Sequence, residues 1–132
     1  MRMLENDDAD ADTLVTLEDQ RNINAFSKLN SRSDEVTAEL ESIKKQLEDV
    51  EEVETEMELM DEEEEVMYKL DSSFLRLPAG EVLTLLQASL EKLRSQTETL
   101  EKERDECEEG MTKLKAVLYA KFGTSINLEK GD

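Results

Sequence analysis

The chain has 132 residues, of which 39% are charged and 37% hydrophobic, and its formal net charge is −19. It holds too few apolar residues for the wide core of a typical globular domain, but enough for a narrow interface between long helices. The negative charge also argues against binding to nucleic-acid backbones or anionic membrane surfaces, because both would repel the chain.

Catalytic and metal sites lack their usual residues in this sequence. There is no histidine, which excludes histidine-based triads, proton shuttles and imidazole metal ligands. The single cysteine, Cys107, cannot form an intramolecular disulfide or build a structural zinc site. No glycine-rich nucleotide-binding motif occurs either. We therefore expect neither an enzyme nor a bound cofactor or metal.

The N-terminal segment, residues 1–13, is acidic and lacks the apolar stretch of a secretory signal. Its composition predicts a disordered tail. No apolar run in the chain is long enough to span a membrane, and a single cysteine suits a reducing compartment. These features predict a soluble intracellular protein.

The first long periodic segment predicts a helix over about residues 17–65. Thr16 supplies an N-cap hydroxyl, and residues 48–65 carry twelve acidic side chains and no basic one. This acidic block is either a solvated helix face or a surface for a basic partner. Apolar residues follow the 3–4 alternation that is typical of a coiled coil, at Phe26, Leu29, Val36, Leu40, Ile43, Leu47, Val50 and Met57.

The segment between the helices, residues 66–78, differs in composition and in period. Apolar side chains alternate with their neighbours on both sides of Asp71 and Ser72, which are turn-forming residues. This pattern predicts a β-hairpin, with an apolar loop as the alternative. Because a lone two-stranded hairpin is marginal in water, we expect its strands to find partners in equivalent hairpins on other chains.

A second heptad pattern predicts another helix over about residues 80–122, followed by a C-terminal segment at residues 123–129. Pro78 marks the start of this helix, and Gly123 is expected to stop it. Gly110 is an internal weak point that costs about 1 kcal/mol relative to alanine. The apolar heptad positions are Leu83, Leu86, Leu90, Leu93, Leu100, Cys107, Met111, Leu114 and Leu118.

Folding the helices back on each other about residue 73 would bring the two chain ends together. Phe26, Tyr119 and Phe122 would then lie at this free end with several aliphatic residues. A two-helix coil offers them only a thin core, so part of the apolar surface should remain exposed for interaction. The alternative is a local cap, in which residues 125–129 fold over the helix end and leave no exposed patch.

Three strings resemble β-class subunits of the prefoldin family: "LEDQRNINAFSKL" (17–29), "KKQLED" (44–49) and "LYAKFGTSINLE" (118–129). The resemblance implies a long antiparallel two-helix coiled coil whose β-hairpin joins an intersubunit β-barrel. It further implies a hetero-hexamer with two α-type and three further β-type prefoldin subunits. Such a complex would bind unfolded actin and tubulin without ATP and pass them to the cytosolic chaperonin. The implied location is the cytoplasm, with a nuclear pool left open.

The resemblance also carries over two sets of residues by position. A client-binding set lies at the free end, and a subunit-assembly set lies in the hairpin. The first comprises Leu14, Leu17, Ile23, Phe26, Leu118, Tyr119, Phe122, Ile126 and Leu128, and the second Val66, Tyr68, Leu70, Phe74, Leu75 and Leu77. The rival interpretation is a passive scaffold, a homodimeric coiled coil that tethers two other proteins and has no use for the hairpin.

Overall fold

Two long helices separated by a β-hairpin make up most of the computed structural model, which confirms the predicted mostly α fold. The structure describes residues 2–3, 15–123 and 126–128. Contacts divide the chain into a terminal unit, Met1–Ala38 with Glu101–Asp132, and a hairpin unit, Glu39–Leu100. The elements in chain order are β1 (Arg2–Met3), α1 (Leu17–Glu58), β2 (Glu65–Leu70), β3 (Ser73–Pro78), α2 (Ala79–Phe122) and β4 (Ile126–Asn127).

The two helices run antiparallel in the terminal unit, where ion pairs join them. Arg32 donates to Glu103 through two nitrogen atoms, with Nε–Oε2 and Nη2–Oε1 distances of 2.5 and 2.9 Å. Nearer the chain ends, Lys121 Nζ donates to the carboxylate of Asp19. Because partner numbers rise in one helix as they fall in the other, the predicted antiparallel coiled coil is confirmed.

α1 begins with a reciprocal cap between Thr16 and Asp19. The Thr16 hydroxyl accepts the N–H of Asp19 at 3.1 Å, and the Asp19 carboxylate accepts the N–H of Thr16 at 2.9 Å. N–H groups that the first turn leaves without helical partners are thereby satisfied. Thr16 is therefore the N-cap residue that its position in the sequence indicates.

α1 ends at Glu58, so the prediction of a helix to about residue 65 is wrong over its last turns. The acidic stretch at residues 61–64 explains the difference, because negative charge at a helix C-terminus opposes the helix dipole. Like charges three and four residues apart on one helix would repel each other as well. The last turn of α1 contains no basic residue that could offset either effect.

The same acidic stretch supports the start of α2 in the hairpin unit. The N–H of Gly80 donates to the Glu62 carbonyl at 3.0 Å, and the N–H of Ala79 donates to the Glu64 carbonyl at 2.7 Å. A Cβ at position 80 would lie 3.3 Å from the Cβ of Glu62, so glycine permits this close approach. Negative charge is favourable at a helix N-terminus, which makes this the better place for the acidic residues.

β2 and β3 form an antiparallel hairpin whose two-residue loop is Asp71 and Ser72. Asp71 has a φ of 55°, a left-handed conformation that aspartate tolerates better than most other residues. The predicted β-hairpin is therefore confirmed, and the alternative of an apolar loop is excluded.

α2 ends at Phe122, and Gly123 follows it with a φ of 59°. A left-handed backbone is strained for residues that carry a Cβ, which is why glycine so often ends helices. No atom lies within 4 Å of the place where a Cβ would project, so conformation rather than space requires glycine here.

Two short strands bring the ends of the chain together. Arg2 pairs with Asn127 and Met3 pairs with Ile126 in antiparallel register. The prediction of a disordered tail over residues 1–13 is therefore wrong at these two positions, where the backbone finds ladder partners. The remainder of that predicted tail lies outside the described residues.

Each unit buries its own apolar residues. The hairpin unit buries Leu40, Ala79, Val82, Leu90, Leu93 and Leu100. Cys107, on the heptad interface of the terminal unit, is 5% exposed and acts as a small core residue. The terminal unit also contains a core that we call the terminal cluster, formed by Ile23, Phe26, Met111, Leu118, Phe122 and Leu128.

Gly110 lies where α2 passes close to α1 in the terminal unit. A Cβ at this position would lie 2.9 Å from Cδ1 of Leu29, which is closer than side-chain atoms normally approach. From the sequence alone Gly110 is only a weak point of its helix. In the structure it makes room for a packed leucine.

We predict that the effect of Gly110→Ala on stability depends on Leu29. In a Leu29→Ala background the substitution should stabilise the chain by about 1 kcal/mol, the gain in helix propensity. With Leu29 present, displacement of its methyl group should reduce that gain, giving a coupling of about 0.5 kcal/mol or more. Urea unfolding of the four variants measures both quantities, and equal effects in the two backgrounds would contradict the packing argument.

Candidate functional site

The terminal cluster contains five residues of the predicted client-binding set. Ile23, Phe26, Leu118, Phe122 and Leu128 are all at most 8% exposed. They come from both helices and from the segment after α2, and they pack into one core. The free end is therefore a packed core at these positions, and their contact with a client stays a prediction.

The other members of the predicted client-binding set differ in exposure. Leu17 is 67% exposed, whereas Tyr119 is half-buried against the terminal cluster. Leu14 lies outside the described residues, as does the side chain of Ile126, whose backbone belongs to β4. Among the members that the structure describes, Leu17 is the one most open to solvent.

Two further apolar residues of the terminal unit are exposed but absent from the predicted set. Val15 is 47% exposed and Val117 is 54% exposed. Val117 lies between the heptad positions Leu114 and Leu118, and an apolar residue away from the heptad interface is the sequence signal that points to it. We refer to Val15, Leu17 and Val117 as the exposed trio.

Asp19 joins the start of α1 to the end of α2. Its side chain is 10% exposed and accepts hydrogen bonds from Lys121 Nζ and from the N–H of Thr16. The bond from Lys121, followed by that from Thr16, lowers the pKa of Asp19 below its ordinary value of 3.8. Lys121 Nζ also lies 5.5 Å from the centroid of the Phe122 ring. This ionised pair therefore ties both helix ends to the terminal cluster.

The C-terminal segment folds back over the helix end in the terminal unit. Leu128 is 2% exposed, and its N–H donates to Tyr119 Oη at 3.4 Å. Lys115 Nζ lies 5.6 Å from the centroid of the same tyrosine ring. This arrangement resembles the local cap of the alternative interpretation, but Leu17 and Val117 remain exposed, so the cap does not cover all apolar surface.

The hairpin has one apolar face. Side chains that are paired across an antiparallel ladder lie on the same face of the sheet, and the face alternates along each strand. The register pairs Val66 with Leu77, Tyr68 with Leu75 and Leu70 with Ser73, so these six side chains share one face. Five of the six are apolar, and all five belong to the predicted assembly set.

The opposite face of the hairpin mixes apolar and basic side chains. Phe74 pairs with Lys69, and Met67 pairs with Arg76. Phe74 and Met67 are both 60% exposed, and Lys69 Nζ lies 6.0 Å from the centroid of the Phe74 ring. The structure therefore separates Phe74 from the other five members of the predicted assembly set, and it adds Met67, which the prediction omitted.

The hairpin also has open edges. In the described part of the chain, β2 and β3 form a sheet of two strands, so each strand has a row of backbone groups without a ladder partner. Leu70 and Leu75 on the apolar face are 53% and 43% exposed. Open edges next to exposed apolar side chains are a ready template for pairing with other strands.

The described residues contain neither a membrane-spanning helix nor a metal-binding cluster. No helix among them is both apolar enough and long enough to cross a membrane. Within residues 2–3, 15–123 and 126–128, no group of three or more carboxylate or cysteine side chains is arranged to hold a metal ion. Hydrophobic and ionic contacts are the chemistry that the described surfaces offer.

The fold is an antiparallel coiled coil, and its hairpin has an apolar face and open edges. These features define a class of helical proteins that assemble with other chains. A family model described as "Prefoldin subunit" matches residues 20–125. The chain therefore belongs to the prefoldin subunit family.

Individual relatives agree with this assignment. The chain is 41% identical over 118 residues to prefoldin subunit 4 of Saccharomyces cerevisiae, covering 89% of this chain and 92% of the relative. It is 34% identical over 119 residues to prefoldin subunit 4 of Homo sapiens, covering 89% of each. The crystal structure of the prefoldin beta subunit from Thermococcus strain KS-1 matches with a TM-score of 0.72, over 82% of this chain and 95% of that one. At 13% identity, the last comparison shows the shared fold.

Family membership decides the general role of the chain. It is a subunit of a prefoldin co-chaperone, a chaperone component and not an enzyme. It assembles with other prefoldin subunits. The open edges and apolar face of the hairpin supply a physical reason for such assembly.

We predict that Asp19→Asn lowers the melting temperature at pH 7 and that the difference from wild type disappears in acid. Because partners lower the pKa of folded Asp19, its carboxylate contributes stability above the unfolded pKa of 3.8 and loses that contribution as pH falls through the folded pKa. Thermal unfolding monitored by circular dichroism between pH 7 and pH ~2 tests this.

The matched control is Glu18→Gln, which removes an exposed carboxylate from the same helical turn. At pH 7 its melting temperature should fall much less than that of Asp19→Asn, because an exposed carboxylate interacts only weakly with the helix dipole. A difference between Asp19→Asn and wild type that stayed constant down to the most acidic condition would contradict the role given to the ion pair.

Proposed function

We propose that this chain, as part of a hetero-hexameric prefoldin, binds unfolded or nascent polypeptides without ATP. The observation that carries the proposal is the exposed trio, in which Val15, Leu17 and Val117 are 47%, 67% and 54% exposed. Clustered exposed apolar side chains usually mark an interaction site, and the Asp19–Lys121 ion pair brings together the helix ends that carry the trio. Hydrophobic contact is non-directional, so it suits clients that have no fixed shape.

Weak contacts of this kind are effective only in combination. Three partly exposed aliphatic side chains supply little affinity alone, because binding must also offset the lost freedom of the client. Several subunits that engage one client together would raise the effective concentration and so supply avidity. Assembly through the hairpin is therefore part of the proposed binding mechanism.

Unfolded actin and tubulin are the clients we propose, with the cytosolic chaperonin as the recipient. Support comes from the resemblance of residues 17–29, 44–49 and 118–129 to β-class prefoldin subunits. The same resemblance supports two α-type and three further β-type subunits as partners. We propose the cytoplasm as the location and leave a nuclear pool open. The net charge of −19 disfavours nucleic acid and anionic membranes as partners.

For assembly, we propose that the apolar face of the hairpin turns towards the interior of an intersubunit β-barrel. Val66, Tyr68, Leu70, Leu75 and Leu77 would then be buried by equivalent strands of neighbouring subunits. Phe74, with Lys69 and Arg76, would lie on the outer face of the barrel.

We predict that Leu75→Asp removes the subunit from the complex and that Phe74→Asp does not. The two residues are neighbours and receive the same charge, but their side chains lie on opposite faces of the hairpin. A carboxylate buried without a partner in the barrel costs several kcal/mol, whereas one on the outer face stays in water. Co-purification of tagged variants with the other subunits measures the difference.

Circular dichroism of each variant verifies that the helices remain folded. Retention of Leu75→Asp in the complex would refute the assignment of the apolar face to the barrel interior. Equal loss of both variants would show that the two faces contribute alike.

We predict that the double substitution Leu17→Ser and Val117→Ser weakens client contact by this subunit about tenfold, since each side chain would bury part of its apolar area on binding. Both residues are largely exposed, so the free energy of unfolding should change by less than about 0.5 kcal/mol for each. Photo-crosslinking of denatured actin to this subunit within the reconstituted complex gives a readout specific to the chain.

The matched control is the pair Leu59→Ser and Leu85→Ser, which removes exposed leucines from the hairpin unit. Crosslinking of the control should equal that of wild type. If the substitutions at Leu17 and Val117 left crosslinking unchanged, the exposed trio would have no role in client binding.

The passive scaffold interpretation has less support. A straight dimeric rod would favour continuous helix, whereas α1 ends at Glu58 and a paired hairpin precedes α2. The apolar face of that hairpin would have no partner in a simple tether.

A further inference from the structure

We propose that the terminal cluster is itself a binding site for one large aliphatic side chain of an extended client segment, and that Leu128 occupies this site as a competing internal ligand. The inference rests on the proposed function, because it names the part of the chain that a client would enter. In this account the residues predicted to bind clients are buried because the chain covers them with its own C-terminal segment.

Leu128 differs from the rest of the terminal cluster in how it is held. The other five members belong to α1 or α2, and Leu128 is the one member of this described cluster that lies outside both helices. It is nevertheless among the most deeply buried, at 2% exposure. A side chain so buried on a non-helical segment fills a place that the two helices leave open.

Among the described residues, few hydrogen bonds hold the segment of Leu128 in place. Its N–H donates to Tyr119 Oη at 3.4 Å, a long and therefore weak hydrogen bond. The backbone before it pairs with β1 over two residue pairs, Met3 with Ile126 and Arg2 with Asn127. Neither contact is a hydrogen bond of the α1 or α2 backbone, so the segment can leave without unfolding a helix. Openings of this kind require much less free energy than global unfolding.

The site accepts features that every unfolded chain exposes. It takes one aliphatic side chain, and the phenol oxygen of Tyr119 accepts the backbone N–H of the same residue. β4 shows that the chain next to Leu128 is extended and pairs through its backbone. None of these contacts is specific for a sequence, apart from the need for one leucine-like residue. The expected ligand is therefore an extended segment of a non-native protein with an exposed leucine, isoleucine or methionine.

Competition makes a clear prediction about affinity. A ligand that binds only the open form has its apparent affinity reduced by the fraction of molecules that are open. Leu128→Ala removes the competing side chain and leaves the helical part of the site unchanged. Gly123→Ala keeps Leu128 but strains the left-handed turn, φ 59°, through which the chain returns, so it favours the open form by a different route.

The experiment uses the complex reconstituted with wild-type partner subunits and a permanently unfolded probe, reduced and carboxymethylated α-lactalbumin. Fluorescence anisotropy gives the dissociation constant. Leu128→Ala should bind the probe about threefold or more tightly than wild type, and Gly123→Ala should shift in the same direction. Leu59→Ala, which removes the same atoms from a leucine that is 84% exposed in the hairpin unit, should bind as wild type does.

Unchanged or weaker binding by Leu128→Ala in an assembled, helical complex would overturn the inference, because Leu128 would then be a purely structural residue or a direct contact. If Leu128→Ala does not assemble, Gly123→Ala decides the question by the same criterion. In both cases binding of the probe by wild type leaves the proposed function standing. Absence of binding by wild type would instead overturn the proposed function and the inference with it.

Hydrogen exchange supplies an independent readout. The amide of Leu128 should lose protection when the probe is added, whereas the amide of Phe122, inside the last turn of α2, should keep it. Unaltered protection of Leu128 in the bound complex would show that the client does not displace it.

Discussion

A coiled coil of two helices can bury only one narrow stripe of side chains on each helix, and this limit governs the rest of the molecule. Heptad residues such as Leu40, Leu90 and Leu118 fill that stripe within their own units. Apolar side chains beyond the stripe must find another cover or remain in water. The helix ends in the terminal unit and the hairpin are where such side chains accumulate, and these are the regions at which we propose that clients and partner subunits bind.

In the terminal unit and in the hairpin, apolar side chains beyond the heptad stripe are covered in different ways. In the terminal unit the chain covers most of it, since Leu128 returns to the cluster and the Asp19–Lys121 ion pair holds both helix ends beside it. In the hairpin no part of the described chain covers Leu70 or Leu75, which stay about half exposed. We propose that other prefoldin subunits cover them. We therefore propose that a surface covered by the chain's own segment suits a transient ligand, whereas a surface covered by another subunit suits a permanent partner.

Hydrophobic periodicity predicted the helices and strands well, but it did not predict the effects of charge or of close packing. The heptad pattern alone would extend α1 through the acidic residues 61–64, whose carbonyls instead accept bonds from the start of α2. In the hairpin, alternation predicted two strands, but the assembly set includes Phe74, which lies on the opposite face from the other five members. By helix propensity Gly110 is a weak point of α2, but in the structure it makes room for Leu29. The end of α1 follows from local charge and the face of Phe74 from alternation along its own strand, whereas the packing of Gly110 against Leu29 depends on residues distant in sequence.

By itself, the sequence determined the helix–hairpin–helix order, the cap at Thr16, the stop at Gly123 and the absence of histidine-based chemistry, because local spacing and composition encode all of these. Only the tertiary structure decided which apolar residues are covered. Burial depends on what folds back from elsewhere in the chain, so Leu128 is buried and Leu17 exposed although the sequence places both at the free end. The burial of Leu128 follows from the path of the chain after α2, which only the structure shows.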